Sequence, residues 1–221
     1  DQLQGAVHFH EQGFELQNVG GQSLGGRFQI GGGMRSLAQG VRMQARGVAT
    51  SSGVQKIAIT PWLSQLAEHA QGQAAYTVDI AALDGAQSVV IQSDLRGMAL
   101  DLPAPLTKFA TEELPLSVSQ TVSAQKIQDS SLKLAGRASA HLVRDVSSVE
   151  AKVLRGQLVV GDVAALPMLD GITAQLQLPE LDVDAWRRLL AVPGTDVDVP
   201  TQAERQPMDA MLPHRVVASV D

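Results

Sequence analysis

The 221-residue chain has no cysteine. That excludes disulfides, thiolate-bound metal and a cysteine nucleophile, and leaves the compartment open. Aromatic residues are scarce, with four Phe, two Trp and one Tyr. The bulky anchors of a conventional core are therefore few, and Val, Leu, Ala and Ile carry the apolar content. Such an interior suits acyl chains and serves equally as a plain β core. Basic residues are outnumbered, 17 against 23 acidic, for a net charge of −6. The chain thus lacks the basic stripe of a general nucleic-acid binder, and charge alone would not hold it to anionic headgroups. Arg27, Arg35, Arg42 and Arg46 are scattered through the N-terminal third, where they fit either a local patch or solvated strand faces. No run approaches the roughly 20 apolar residues that cross a bilayer as a helix. No signal peptide opens the chain. The start at Asp1-Gln2-Leu3-Gln4 and the strand-like end from Arg215 read as an internal portion of a longer protein.

Motifs for catalysis are missing too. There is no G-x-S-x-G elbow. Gly31-Gly32-Gly33 runs into Met34-Arg35 rather than a Lys-Ser/Thr ending, so a hairpin turn is expected there, not a phosphate loop. His8 and His10 share one strand face, but His69, His141 and His214 lie in other contexts. Zinc would need further ligands in geometry. Asp94 and Asp101 flank a proline corner, where turn and edge chemistry is the expected role. This reading is non-enzymatic, with no catalytic residue, no metal and no cofactor.

What is present is alternation with period two, the mark of a sheet covered on one face. Val41, Met43 and Ala45 alternate with Arg42, Gln44 and Arg46. Val7 and Phe9, Phe14 and Leu16, Phe28 and Ile30, and Tyr76, Val78 and Ile80 follow the same rule. So do Val89 and Ile91, then Leu114, Leu116 and Val118, then Leu132 and Leu134. The pattern continues at Val149, Ala151 and Val153, at Leu158 and Val160, and from Ile172 to Leu178. Leu95, Met98, Leu100 and Leu102 need a slip at Gly97, which predicts a bulge. Glycines at Gly20-Gly21, Gly25-Gly26, Gly53, Gly85, Gly136 and Gly171 predict turns of a hairpin meander. Two short helices interrupt it. One spans Thr60 to Glu68, with a threonine cap and Pro61 at the first position. The other spans Asp182 to Leu190, with an aspartate cap.

The fold class expected is mainly β, a curved antiparallel sheet or groove of meander hairpins with two short helices. Residues 1–191 form the sheet region. A β-meander ending in a short Trp-containing helix occurs twice, which divides it into two divergent units, about 1–70 and 71–191. Residues 192–213 are rich in proline and acids and read as a linker. Residues 214–221 begin another strand.

The stretch Ser88 to Val118 joins two alternating runs through the corner Leu102-Pro103-Ala104-Pro105-Leu106. Both prolines fix φ and remove a donor, so they end a strand and block its edge. Lys108 just beyond is expected to be solvated. The string SDLRGMALDLPAPLTK, with PLSV after it, resembles a segment of the AsmA-like envelope proteins of the YhdP type. So do Ser23 to Gly26, Ala45 to Ala49, Pro61 to Ala67, Tyr76 to Leu83, and Leu178 to Leu190 with its D-x-D-x-W ending. The resemblance covers most of the chain apart from Val192 to Pro213, and its motifs are those of a fold, not of an activity.

The resemblance implies an inner-membrane-anchored Gram-negative envelope protein whose β-sheet extends through the periplasm with an apolar inner surface. It implies phospholipid as partner, with inner and outer membrane reached through the full-length parent, and a role in lipid transport and outer-membrane integrity. On that expectation the groove is lined by Val78, Ile80, Val89, Ile91, Met98, Leu100, Leu116 and Val118, although a one-residue register slip would invert the face. The rival expectation is a non-catalytic scaffold or assembly module of the envelope that acts through its sheet edges.

Overall fold

The computed structural model describes residues 3–56, 67–161, 170–178, 182, 184–186 and 215–220. Strands dominate, in one curved open sheet. They are β1 (Gln4–His10), β2 (Gly13–Ser23), β3 (Gly26–Met34), β4 (Val41–Thr50), β5 (Ala70–Leu83), β6 (Ala86–Ser93) and β7 (Met98–Leu100). They continue as β8 (Leu116–Val122), β9 (Ile127–Leu134), β10 (Ala138–Asp145), β11 (Lys152–Val160), β12 (Gly171–Leu178) and β13 (Arg215–Val220). Spatial order follows chain order from β1 to β13, except that β7 leaves the path and pairs the start of β5.

Local sequence explains the meander. Asp84 and Gly85, with φ of 50° and 77°, form the two-residue turn between Leu83 and its partner Ala86. Two left-handed positions make a turn whose twist matches that of the flanking strands. Leu24 and Gly25 do the same between β2 and β3. All neighbours are antiparallel up to β11, whereas β11–β12 and β12–β13 pair in parallel. Alternation does not distinguish the two directions, so the parallel end was not legible.

Other expectations shift as well. Gly31-Gly32-Gly33 is no turn but lies inside β3. A Cβ on Gly32, where φ is +106°, would stand 2.2 Å from the Arg42 carbonyl oxygen. Glycine is thus needed because the backbone of β4 is close. Gly20-Gly21 likewise lies within β2. Val149 and Ala151 are outside any strand, and Val149 is fully exposed before β11 begins at Lys152. A short helix, α1 (Ser51–Gln55), follows β4, capped where the Gly53 N–H donates to Thr50 Oγ1.

Most of the first expected helix, and Trp62 with it, lies outside the described residues; Ala67 and Glu68 are helical. Of the second, 184–186 is helical, and Asp182 Oδ1 accepts the Ala185 N–H at 2.8 Å as a cap should. The expected linker 192–213 lies outside the described residues.

The core sits at one end of the strands. Ala70, Ala74, Leu95 and Met98 form a buried cluster against which Leu100, Leu116 and Leu134 pack. The segment from Asp94 to Pro115 folds over this end, and Leu102 and Leu114 are buried within it. Lys108 contradicts its expected solvation, for it is 2 % exposed. Its Nζ donates to the carbonyls of Leu95 and Met98 at 2.8 Å and of Phe109 at 3.0 Å. In the turn at Gly97 the Leu95 carbonyl accepts the Met98 N–H at 3.1 Å, and the Phe109 carbonyl accepts the Glu112 N–H at 3.1 Å, so Lys108 fills remaining acceptor capacity on buried carbonyls. An ammonium with three donors meets three such oxygens at once.

Candidate functional site

Partners directly opposite in a ladder place their side chains on the same face. The register therefore traces rows across the sheet. One row runs Val19, Ile30, Ala45, Val78, Ile91, Val118, Leu132, Ala140, Leu158 and Ala174. It crosses every strand of the main path from β2 to β12 without a polar residue. The backbone partner of Ala174 on β13 is Val216. The rows beside it hold Met43, Ile80 and Val89 on one side, and Leu116, Leu134, Ala138 and Val160 on the other.

Six of the eight expected lining residues are in these rows: Val78, Ile80, Val89, Ile91, Leu116 and Val118. Val78, Ile91 and Val118 are consecutive members of the row, and Ile80 and Val89 are opposite each other beside it. All six are half-buried. Met98 and Leu100, on β7, are opposite Gly72 and Ala70 of β5 and are on the same side beyond these rows, in the core that closes one end of the face. Leu132, Ala140, Leu158 and Ala174 complete the row and were not singled out from sequence. Their alternating runs were visible, but only the register aligns them with Ile91.

The aliphatic band has two limits. At one end stands the folded-over segment around Lys108. At the other, Gln87, Gln120, Ser130, Gln128 and Arg144 occupy the same face. Gln128 is buried, and Arg144 Nη2 donates to its Oε1 at 2.9 Å. Arg144 Nε is buried without a partner among the described residues. Polar groups thus frame the band and do not interrupt it.

The opposite face is mostly polar, although it buries Val143 and Val159 on β10 and β11. Its matching row reads Gly31, Gln44, Asp79, Val90, Ser119, Ser131, His141, Gln157 and Thr173. Gln44 Nε2 donates to Asp79 Oδ1 at 2.8 Å, the Ser119 and Ser131 hydroxyls are 2.8 Å apart, and His141 Nε2 is 2.9 Å from Asp129 Oδ1. A hollow of about 790 Å³ opens over β2 to β6, with Arg42, Gln44, Arg46 and Asp79 in its lining.

Electrostatics follow this division. On the apolar face burial pushes the Tyr76 phenol up. Burial pulls the Lys108 ammonium down, Glu112 acting against it. Asp94 makes a turn, its Oδ1 accepting the Arg96 N–H at 3.0 Å. The Asp101 N–H donates to the His69 carbonyl at 2.9 Å. Among the described residues no group of three or more His, Asp or Glu is placed to hold a metal.

The one-faced open sheet and its aliphatic row can be set beside known proteins. Residues 1–221 match the family described as YhdP protein. The chain belongs to the YhdP family. No curated protein and no solved structure gives a match. YhdP membership makes this an envelope protein of the AsmA-like kind. Among the described residues no helix is long and apolar enough to cross a membrane.

Proposed function

We propose that this YhdP-family chain is a non-enzymatic segment of a lipid-transfer protein. In this reading its aliphatic band shields phospholipid acyl chains between inner and outer membrane in the periplasm, and so supports outer-membrane integrity. The observation that carries the proposal is the row from Val19 to Ala174, aliphatic on every strand it crosses.

Burying one CH₂ is worth about 0.8 kcal/mol, so a two-chain lipid of roughly 30 methylenes resists transfer to water by on the order of 20 kcal/mol. A continuous apolar band removes much of that cost. Its lack of polar side chains favours sliding over capture, since a fixed binding pocket places donors and acceptors at defined points.

The test is photo-crosslinking in cells, with a probe at Ile91 and a control at Gln92 in the full-length parent. These neighbours are on opposite faces. Lipid adducts at Ile91 alone are expected, and lipid that co-purifies with the protein should be lost when Val89 and Ile91 are both replaced by Asp in a variant that still folds. Adducts at neither site, in a stable envelope-localised protein, would defeat the proposal.

One observation favours the second reading, a scaffold acting through sheet edges. Every residue of β1 is exposed, and Phe9 is 81 % exposed on an edge strand whose outer side has no partner among the described residues. Protein adducts from a probe at Phe9, with no lipid at Ile91, would support that alternative.

A further inference from the structure

The polar face carries a charge bias that the acyl-chain reading does not use. Between Glu15 and Glu68 the sequence contains Arg27, Arg35, Arg42, Arg46 and Lys56 and no acidic residue, although the whole chain is at −6. Arg42, Gln44 and Arg46 alternate along β4 on the polar face. Four residues of strand separate the two arginines by roughly 13 Å, within reach of two long side chains that converge. Among the described residues neither has a carboxylate partner.

Both line the 790 Å³ hollow, together with Gln29, Gln44, Ser88 and Asp79. The single carboxylate there is already engaged, because Asp79 Oδ1 accepts from Gln44 Nε2 at 2.8 Å. Gln44 Oε1 in turn accepts from Arg46 Nη2 at 3.0 Å. The amide therefore holds Arg46 within the hollow and leaves Arg42 without a hydrogen-bond partner among the described residues.

We infer that this hollow binds a phosphate-bearing group through Arg42 and Arg46. A guanidinium presents planar, fixed donors that match phosphate oxygens. The space has the size of a small-molecule site. A concave basic surface focuses its field on a single anionic group. The group is either a soluble phosphate ester or the headgroup of a lipid. The site is on the face opposite the aliphatic band and does not depend on the lipid-shielding proposal.

The experiment is titration of the chain with glycerol 3-phosphate and, separately, with phosphatidylglycerol vesicles, at low and high salt. Saturable, salt-sensitive binding of either probe is expected. Binding of the ester assigns the soluble source, and binding of the vesicle alone assigns the headgroup. Replacing Arg42 and Arg46 by Gln, with unchanged circular dichroism, should weaken binding about tenfold or more. Asp79→Asn should strengthen it. The Val89 and Ile91 double variant should bind as the parent does, which separates this site from the band. No saturable binding of either probe at millimolar concentration would overturn the inference, as would equal affinity in the Arg42 and Arg46 variant.

Discussion

The wing formed by β1 to β3 and the section from β5 to β9 present the same apolar face, yet they bury it very differently. In the wing Phe9 is 81 % exposed, and Val7 and Leu3 are exposed too. In the central section Leu114 is 3 % exposed, and Ala70, Ala74, Leu95 and Met98 are buried with it. The wing's strands are poorer in apolar residues and richer in glycine. The buried cluster also needs the segment between Asp94 and Pro115, which leaves the main strand path, pairs the start of β5 through β7 and folds back over that end. Burial in an open sheet thus depends on which chain covers the face, and the wing has no such cover among the described residues.

Substitutions can break this contrast. The largest effect is expected at Lys108. Replacing it by Met keeps the volume and removes three charge-assisted hydrogen bonds, with the Leu95 and Phe109 carbonyls retaining only the Met98 and Glu112 N–H groups, at a cost of about 4 kcal/mol. Denaturant unfolding would measure it, and hydrogen exchange should show the 94–115 segment opening first. A loss below about 1 kcal/mol would mean that the ammonium is not what holds the segment down. Leu114→Ala should cost about 3 kcal/mol from lost transfer energy and the cavity left behind. Phe9→Ser in the wing should change stability by no more than about 0.5 kcal/mol, as surface substitutions do. A large loss there would show that the wing is covered after all.

The smallest expected effect is a pH dependence. The Ser147 hydroxyl, and with it the Ser147 N–H that donates to Asp145 Oδ1 at 2.9 Å, holds that carboxyl below the usual carboxylate range. As pH falls the unfolded chain takes up this proton first. The contribution is therefore complete above about pH 4 and is lost as pH drops through the folded value. Asp145→Asn should flatten that part of an acid-unfolding curve.

Much of the architecture was legible. Val41 to Arg46 alternates so regularly that its two faces need no structure to assign, and the eight residues expected to share a face do so. The slip expected at Gly97 separates Met98 and Leu100 from β6, but that they form a short strand paired with the start of β5 is a non-local contact that alternation does not reveal. Lys108 was unreadable for a related reason. A lysine is buried only when tertiary structure gathers acceptors around it, and the carbonyls of Leu95, Met98 and Phe109 converge through a fold-over that no local pattern signals. Val149 and Ala151 imitate a strand over three positions, too short a run to distinguish from a bend. The parallel pairing of β12 is invisible because a side chain's face does not depend on strand direction.

The uninterrupted row has a consequence for growth in length. Neighbouring strands are about 4.8 Å apart, so the row from β2 to β12 extends roughly 40 Å. Each hairpin added to such a meander lengthens the track by about 10 Å and leaves its width unchanged, because width is determined by strand length and not by strand number. Reach and cross-section can therefore change separately: duplicating or deleting whole hairpins rescales the distance covered, while the profile offered to whatever travels along it stays the same.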